Sequence, residues 1–460
     1  MCEVWVPVKL LVLDVVGLRP KDLAQAPNLA RLAGRGFAAP MTTVFPAVTC
    51  SVQASFLTGT RPSEHGIVAN GWYFRDLAQV CLWRQANQLV RGEKVYTAAR
   101  LADPEFTCAK MFWWFNMHAD VAYGVTPRPE YHADGLKKPG LYSQPPELQA
   151  ELQSRLGDFP LFNFWGPAAD IRSTRWIADA TLQVIEERDP TLVLAYLPHL
   201  DYDHQKFGPD HPRCASALSE VDAQAGRLID AAQERGAEVV ALSEYGIESV
   251  SDPVFPNRLL HERGLLQVQE TSHGQLLDCG ASRAFAVADH QIAHVYVRER
   301  EDLSTVRELL ERTPGIARVM DRAEQAAVGI DHERSGELVC EAEPGCWFAY
   351  HYWTEENRRP DFATTVDIHR KPGYDPTELF LDPKLRAPRL KIAFALLKKK
   401  LGFRYLMNVI GTDPTLVRGS HGRLFADPEA GPVFLCSSAD NASDHVHATE
   451  VKGRILDLLS

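Results

Sequence analysis

The amino-acid sequence predicts an α/β fold in which a mostly parallel central sheet carries helices on both faces. Segments with strand character alternate along the chain with segments of helical period, which is the pattern of a parallel sheet covered by helices. The chain has 460 residues, of which 45% are hydrophobic and 24% charged, so it can bury the core that such a fold needs. Two carboxylates, Asp14 and Asp201, follow predicted strands, where an open α/β sheet has its active-site crevice.

The predicted elements follow one another in a regular order. The apolar run VKLLVLD is a buried strand that ends at Asp14, and a helix from about Pro27 to Gly36 comes next. TTVFPAV then leads into the helix SVQASFL. Two pairs of a helix and a strand come later: IADATLQVIEERD with TLVLAYLP, and ALSEVDAQAGRLIDAAQERG with AEVVALSE. Such pairs are typical of a parallel sheet with helical crossovers.

Two stretches interrupt this alternation and divide the chain. Residues 85–165 are rich in Pro, Gly and aromatic residues, so we expect an irregular insertion there. Residues 280–345 combine strand and helix patterns and are expected to form a small α+β cap. Residues 1–84, 166–279 and 346–460 are then the three parts of a catalytic core. Insertions of this kind commonly carry specificity.

The segment PRLKIAFALLKKKLGFRYLMNVIG has apolar residues at helical spacing and three adjacent lysines, Lys398, Lys399 and Lys400. A surface helix with a solvated lysine face is the favoured interpretation. Contact with a membrane surface is the alternative.

The composition narrows the class of function and the compartment. A formal net charge of -11 argues against a binder of nucleic-acid polymers, which needs a basic surface, but is compatible with a small phosphorylated substrate. The nine cysteines are scattered without a CxxC pair, and the N-terminus lacks the apolar run of a signal peptide. No stretch approaches the ~20 apolar residues that cross a bilayer. We therefore expect a cytoplasmic protein without a membrane span, and its oligomeric state is left open.

Thr49 stands at the start of a helical run, where backbone N–H groups and the helix dipole favour an anion. On its own this position indicates a helix N-cap. The surrounding segment, however, resembles the nucleophile region of the alkaline phosphatase superfamily and, within it, of the type I phosphodiesterase/nucleotide pyrophosphatase family. The family pattern of a nucleophilic Thr, a Thr-Gly pair, a Pro, a His-Gly-Ile and an Asn is matched here by Thr49, Thr58-Gly59, Pro62, His65-Gly66-Ile67 and Asn70.

The resemblance continues along the chain in the family's order. Asp14 matches the first metal ligand, Asp201 matches the Asp of a D-x-x-x-H segment, and His421 matches the late metal-binding histidine. The resemblance implies a phosphothreonine-type intermediate on Thr49, with the Thr49 N–H and the Asn70 side chain holding a non-bridging oxygen. Coordination to a metal ion would lower the pKa of the threonine hydroxyl and make it nucleophilic.

Two positions depart from the family pattern. Where the family has an Asp-His pair this chain has Glu244-Tyr245, and a phenol with a reference pKa of about 10 is a poor ligand for zinc. The position four residues after Asp201 is Gln205 in place of histidine, and His204 precedes it. We expect His204 to be the ligand, because imidazole binds metal better than a carboxamide does. A surface position of His204 is the alternative.

The resemblance thus implies a hydrolase of phosphodiester or pyrophosphate bonds that uses two divalent metal ions. Zinc is the metal that the family implies, whereas manganese or iron suits the Glu-Tyr pair. Asn70 and His369 are the candidate contacts of the small phosphorylated substrate. The implied metal ligands are Asp14, Thr49, Asp201, His204, Glu244, Tyr245 and His421. The alternatives are a phosphomonoesterase, a phosphonate hydrolase, a phosphotransferase, or a non-catalytic member that binds a phosphorylated ligand.

Overall fold

A nine-stranded β-sheet forms the centre of the protein. The computed structural model describes residues 9–133, 137–403, 406–440 and 442–460. The first eight residues, which include the start of the predicted strand VKLLVLD and the region for which no signal peptide is expected, lie outside these ranges.

Within the described ranges the chain forms many short strands and a smaller number of helices. The strands, in chain order, are β1 Leu10–Val15, β2 Phe37–Thr42, β3 Gly71–Phe74, β4 Gln79–Leu82, β5 Cys108–Met111, β6 Tyr123–Pro127, β7 Glu130–Tyr131, β8 Lys137–Lys138, β9 Leu141–Gln144, β10 Leu192–Leu197, β11 Glu238–Leu242, β12 Glu248–Ser249, β13 Asp252–Val254, β14 Gln267–Thr271, β15 Gly274–Asp278, β16 Ala284–Asp289, β17 Ile292–Val297, β18 Ile316–Met320, β19 Leu338–Ala342, β20 Cys346–Phe348, β21 Gly419–Ser420, β22 Val433–Cys436 and β23 Val446–His447. The α-helices are α1 Pro27–Arg35, α2 Thr49–Thr58, α3 Pro62–His65, α4 Val95–Ala102, α5 Glu147–Leu156, α6 Leu161–Phe164, α7 Ile171–Arg188, α8 His199–Phe207, α9 Pro212–Gln233, α10 Pro256–Glu262, α11 Leu303–Glu311, α12 Arg322–Val328, α13 Pro388–Lys400 and α14 Val451–Leu459.

The central sheet is mostly parallel, which confirms the predicted fold class. Its strand order is β23-β2-β22-β11-β1-β10-β5-β6-β9, and the five neighbours from β11 to β6 run parallel. In β1, Leu11 and Leu13 pack into the cluster that includes α1, α7 and α9, whereas Leu10 and Val12 pack into the cluster that includes α2, α4 and α14. Helices therefore cover both faces, because successive side chains of a strand point to opposite sides of the sheet.

Residues 85–165 differ from the irregular insertion that the sequence predicts. They contain α4 and α5, and they add β5, β6 and β9 to one side of the central sheet. These strands have only four or five residues each, and β5 carries a buried lysine, Lys110. Short strands with a charged residue do not give the apolar run by which β1 and β10 are recognised in the sequence.

A second, four-stranded antiparallel sheet lies within the range of the predicted cap, in the order β16-β17-β19-β18. The run RAFAVADHQIAHVYV, which the sequence presents as one strand, is a hairpin that turns at His290 and Gln291. His290 has a left-handed backbone conformation, with φ of 58°, which residues other than glycine seldom adopt. This turn directs the end of β16 toward the nucleophile region.

Two further expectations concern covalent links and membranes. The described cysteines are all unpaired thiols, as their scattered positions indicate. In the part of the chain that the structure describes, each helix is too short or too polar to reach across a lipid bilayer.

Candidate active site

Asp14 and Thr49 lie near each other at the carboxyl end of the central sheet. Asp14 in β1 pairs with Tyr196 of β10 and Leu242 of β11, and its side chain is fully buried. Thr49 is the first residue of α2, a helix whose ten residues are all buried. The N-cap position belongs to Val48, so Thr49 begins the helix and does not cap it.

Asn70 links the start of α2 to the second sheet. Its Oδ1 accepts a hydrogen bond from the Cys50 N–H (2.9 Å), which satisfies one of the N–H groups that a helix N-terminus leaves without a partner. Its Nδ2 and its backbone N–H donate to the two carboxyl oxygens of Asp289 (3.0 and 2.7 Å) at the end of β16. The Asn70 amide is therefore held next to the first turn of α2, where Thr49 lies.

The Thr49 hydroxyl contacts two side chains that follow β11. Its Oγ1 lies 3.0 Å from the Tyr245 hydroxyl, and it also interacts with the Glu244 carboxyl. Burial, together with the charges of Asp201 and Glu244, raises the pKa of Tyr245 well above its ordinary value. The phenol thus keeps its proton and can donate it to a hydrogen bond.

The Gln53 amide lies between the two carboxyls nearest to Thr49. Its Nε2 donates to Asp14 Oδ2 (2.9 Å) and to Glu244 Oε1 (2.7 Å). Its Oε1 accepts from the backbone N–H of Trp114 (2.8 Å), which fixes which end of the amide faces the carboxyls. The two N–H groups of Gln53 thus occupy the position between Asp14 and Glu244 where a cation would otherwise balance their negative charges.

Asp201 pairs with Gln205, one turn later in α8, and not with His204. Gln205 Nε2 donates to Asp201 Oδ2 (2.7 Å), and Gln205 Oε1 accepts from the Tyr374 hydroxyl (2.8 Å). Residues four apart share a helix face, whereas His204 lies on a different face, packed against Gly17. Burial and the nearby Arg19 lower the pKa of His204 to about 3. Gln205 is therefore the side chain that contacts Asp201. His204 is buried, so the alternative of a surface position is wrong, whereas its role as a metal ligand stays a prediction.

Four flat side chains form a continuous stack across the site. The Tyr245 ring lies on His421 with 3.6 Å between centroids, His421 lies 3.6 Å from His290, and His290 lies 3.8 Å from Tyr374. His421 Nδ1 is 2.8 Å from the Ala47 carbonyl oxygen, which orients the imidazole. Burial lowers the pKa of His421 to about 3 and that of His290 well below its usual value, so both rings are neutral.

The site gathers buried carboxyl groups. Burial raises the pKa of Asp14, Asp201 and Asp289 to about 7 each, and burial with the charge of Asp14 raises the pKa of Glu244. Asp14 Oδ1, Asp201 Oδ1 and Glu244 Oε2 have no hydrogen-bond partner among the described residues. With a pKa of about 7, Asp14, Asp201 and Asp289 each hold a proton for part of the time at neutral pH, which lowers the negative charge of the site.

The donor set does not fit the two zinc ions that the resemblance implies. At the ion next to Thr49, the Gln53 amide lies between the two carboxylates and a protonated phenol replaces an imidazole. At the second ion, a carboxamide, Gln205, replaces the histidine that zinc prefers. Across the described ranges, no three His, Cys, Asp or Glu side chains are arranged to hold a metal ion.

The structure brings together most of the residues that the sequence singled out and adds others. His369 lies in the loop that also carries Tyr374. Gln53, Asp289, His290 and Tyr374 were not among the predicted site residues. The sequence signal for Gln53 is a glutamine within the mostly apolar helical run SVQASFL, because a polar side chain that becomes buried needs a partner.

Comparison with known proteins identifies relatives of this chain. A model of the family described as type I phosphodiesterase / nucleotide pyrophosphatase matches residues 10–375. An uncharacterised pyrophosphatase/phosphodiesterase of Schizosaccharomyces pombe is 24% identical over 297 residues, which are 61% of this chain and 52% of that protein. The chain therefore spans about half the length of that curated relative.

Two solved structures share the fold. Murine ectonucleotide pyrophosphatase/phosphodiesterase 5, an inactive variant in complex with AMP, has a TM-score of 0.60 at 15% identity and covers 98% of this chain and 95% of its own. Phosphonoacetate hydrolase from Sinorhizobium meliloti 1021, in complex with phosphonoformate, has a TM-score of 0.60 at 14% identity and covers 99% and 97%. Since the family match spans most of the sequence, this chain belongs to the type I phosphodiesterase/nucleotide pyrophosphatase family of phosphoric ester hydrolases.

Proposed function

We propose that this protein hydrolyses phosphodiester or pyrophosphate bonds through attack of the Thr49 hydroxyl on phosphorus. The observation that carries the proposal is the position of Thr49 at the N-terminus of a buried helix, with Oγ1 3.0 Å from the Tyr245 hydroxyl. A helix N-terminus favours negative charge, and the oxygens of a transferred phosphoryl group carry negative charge in the transition state. Thr49 is also the residue that matches the family's nucleophile.

The first step forms a bond from Thr49 Oγ1 to phosphorus and breaks the bond from phosphorus to the leaving oxygen. The Thr49 proton passes to the ionised form of Glu244, whose carboxyl interacts with the Thr49 hydroxyl, and the leaving oxygen takes its proton from solvent. The Asn70 side-chain amide has two hydrogens and donates one of them to Asp289. The other can donate to a phosphoryl oxygen of the substrate. The covalent intermediate is a phosphothreonine-type ester that keeps the second ester group of the substrate. Water then adds its hydroxide to phosphorus and its proton to Thr49 Oγ1, which releases the phosphomonoester, and Glu244 returns its proton to solvent.

Members of this family generally work with divalent metal ions, typically zinc. The mechanism proposed here assigns no step to a metal ion, because Gln53 and Gln205 stand where the implied ligand set needs charge or imidazole. Glu244 takes over the task of activating Thr49. Metal dependence is thus the property in which this chain should differ from its family.

Aromatic side chains lie next to the ring stack that begins at Tyr245 beside Thr49. Trp83 and Trp165 both lie against Tyr374, which ends that stack. Aromatic surfaces favour planar rings such as a nucleobase. A nucleoside phosphodiester or a dinucleoside pyrophosphate is therefore the substrate class that we propose.

Kinetic measurement of Thr49→Ala and Thr49→Ser tests the proposal. With bis-p-nitrophenyl phosphate and p-nitrophenyl phosphate as substrates, we expect Thr49→Ala to lose activity by about 10³-fold or more and Thr49→Ser to keep a measurable fraction. Mass spectrometry of acid-quenched enzyme should find the phosphoryl adduct on Thr49. The same assays in EDTA, Mn²⁺, Zn²⁺ and Fe²⁺ should give similar rates.

Full activity of Thr49→Ala would contradict the nucleophile, and activity that requires an added metal would contradict the Glu244 mechanism. If the wild-type protein hydrolyses neither substrate with any of the metals but binds AMP in calorimetry, the chain is a binding protein with the same fold. A higher rate on the monoester than on the diester would favour the phosphomonoesterase alternative.

A further inference from the structure

One segment of the chain has a charge opposite to that of the whole protein. The protein carries a formal net charge of -11, yet no Asp or Glu occurs from Pro383 to Gly411. The basic residues of this segment are Lys384, Arg386, Arg389, Lys391, Lys398, Lys399, Lys400 and Arg404. We call Pro383–Gly411 the basic segment.

The basic segment leaves the body of the protein and returns to it at nearly the same point. The Asp382 N–H donates to the Val409 carbonyl oxygen (2.9 Å), and Gly411 lies beside Asp382. Inside this excursion α13 runs from Pro388 to Lys400, and Lys391 Nζ donates to the Asn408 carbonyl oxygen (2.8 Å). The described residues of the segment, 383–403 and 406–411, therefore form a projecting loop whose main element is a helix.

Large apolar side chains on this loop face solvent. Leu390 is 73% exposed, Phe394 59%, Leu401 62% and Phe403 65%. Of the fourteen large apolar side chains that are exposed in the described part of the chain, seven belong to the loop, including Leu396, Leu397 and Leu406. Such a concentration marks an interaction site, since single exposed apolar residues are common but clusters are not.

The apolar stripe of α13 points outward. Leu390, Phe394, Leu397 and Leu401 recur at helical spacing on the exposed side, whereas Ala395 is buried. The sequence favoured a helix with a solvated lysine face, but the exposed face carries leucine and phenylalanine beside the lysines. Lys398 Nζ lies 4.9 Å from the Phe394 ring centroid, so basic and apolar groups share this face.

We propose that the basic segment binds the surface of an anionic membrane, with α13 lying in the interface and its Leu and Phe side chains inserted among the acyl chains. Membrane-surface helices combine an apolar face with Lys and Arg at its edges, and clustered basic residues are attracted to anionic lipid headgroups. The long lysine side chains reach the headgroups while their stems follow the apolar stripe.

Charge favours a membrane over the other partners of such a surface. A symmetric dimer through this face would set the same basic residues of two copies against each other, because a twofold interface uses the same patch on both subunits. A nucleic acid would match the basic residues but would leave the Leu and Phe stripe unused. An anionic bilayer is complementary to both properties.

Co-sedimentation of the full-length protein with vesicles tests the proposal. We expect binding to phosphatidylcholine vesicles that contain phosphatidylserine, weak binding to pure phosphatidylcholine, and weaker binding as salt rises. The double variants Phe394→Ser/Leu397→Ser and Lys398→Glu/Lys400→Glu should each bind at least about tenfold more weakly. The controls Leu101→Ser and Arg312→Glu, at exposed positions elsewhere, should bind as wild type does.

Thermal unfolding of each variant separates loss of binding from loss of fold, because the substituted side chains are exposed and should leave Tm unchanged. Wild-type protein that stays in the supernatant with phosphatidylserine vesicles would overturn the proposal. Equal pelleting of all variants would do so as well. A dimer on size exclusion that both double variants abolish, or binding of a DNA duplex without vesicle binding, would assign the surface to those partners instead.

Discussion

Gln53 shows how one side chain can change the electrostatics of a whole site. Its amide nitrogen donates to both Asp14 and Glu244, while its oxygen is engaged by the Trp114 N–H. Two carboxyls that close together in a buried site would otherwise require a cation or a shared proton. A neutral amide therefore stabilises a pair of acids without adding charge.

Gln53→Glu should make the stability of the protein depend on a divalent cation. The substitution keeps an acceptor for the Trp114 N–H but adds a third buried carboxyl, so we expect the free energy of unfolding to fall by about 3 to 5 kcal/mol. Mn²⁺ or Zn²⁺ should raise the Tm of Gln53→Glu in differential scanning calorimetry. Gln53→Met, which adds no charge, is the control and should not respond. A wild-type Tm that falls in EDTA and recovers with metal would contradict this account.

Lys110 should make stability depend on pH. It is fully buried in β5, its Nζ donates to the Phe115 carbonyl oxygen (2.8 Å), and burial lowers its pKa to about 7. Between pH 7 and the ordinary lysine value near 10.5 the unfolded chain binds a proton that the folded protein does not. The free energy of unfolding therefore rises with pH in this window, by up to about 1.4 kcal/mol per pH unit.

Urea unfolding at pH 7, 8 and 9 measures that slope. Lys110→Met should reduce the slope, whereas Lys21→Met, which removes an exposed ion pair with Asp210, should leave it as in wild type. An identical slope in Lys110→Met and wild type would show that this lysine does not carry the effect.

At the scale of elements, α1 depends on a residue of another helix for its N-terminal cap. Its own N-cap residue, Ala26, has no side-chain group to offer. Asp222 of α9 accepts hydrogen bonds from the N–H groups of Asn28 (3.1 Å) and Leu29 (3.0 Å). A negative charge at a helix N-terminus also interacts favourably with the helix dipole.

Asp222→Ala should lower the free energy of unfolding by about 2 to 3 kcal/mol, because it leaves two N–H groups at the start of α1 unsatisfied. Asp230→Ala is the matched control, since Asp230 joins the same two helices through an exposed ion pair with Arg31 and should cost less than about 1 kcal/mol. Chemical denaturation gives both values. Equal losses would refute the capping role.

The elements differ in how far the sequence predicts them. The strands β1, β10 and β11 are apolar runs, so their parallel arrangement and the polar residues at their ends could be inferred. The strands β5 and β6 are short and lie among turn residues, and their place in the sheet depends on partners that no local pattern shows. Thr49 and Asp14 belong to recognisable segments, whereas Asp289 and His290 reach the site through a hairpin turn without a glycine.

At the scale of the whole molecule, the central sheet and the smaller four-stranded sheet meet near Thr49, the proposed nucleophile. Asp289 at the end of β16 binds Asn70, and Asn70 binds the first turn of α2. The ring stack of Tyr245, His421, His290 and Tyr374 also joins the two sheets, because Tyr245 follows β11 of the central sheet and His290 follows β16 of the smaller sheet. The candidate active site is therefore shared between the central sheet and the smaller one.

Asp289→Asn should reduce catalysis as well as stability. An amide nitrogen at position 289 would face one of the two Asn70 donors. We therefore expect the free energy of unfolding to fall by about 2 kcal/mol and kcat on bis-p-nitrophenyl phosphate to fall about tenfold or more. Asp302→Asn, a buried aspartate of the same region that binds Arg283, should lose stability but keep kcat. Equal kcat values for the two variants would contradict the proposed link.

The amide between Asp14 and Glu244 has a consequence for how this sequence could evolve. Changing Gln53 alone leaves two buried acids without a donor, and changing either acid alone leaves an amide N–H without an acceptor. Each single step lowers stability, so the three positions should covary among close homologues and resist reversion one at a time. Under the proposed mechanism, restoring the ligand set that the family resemblance implies would require simultaneous changes at these positions.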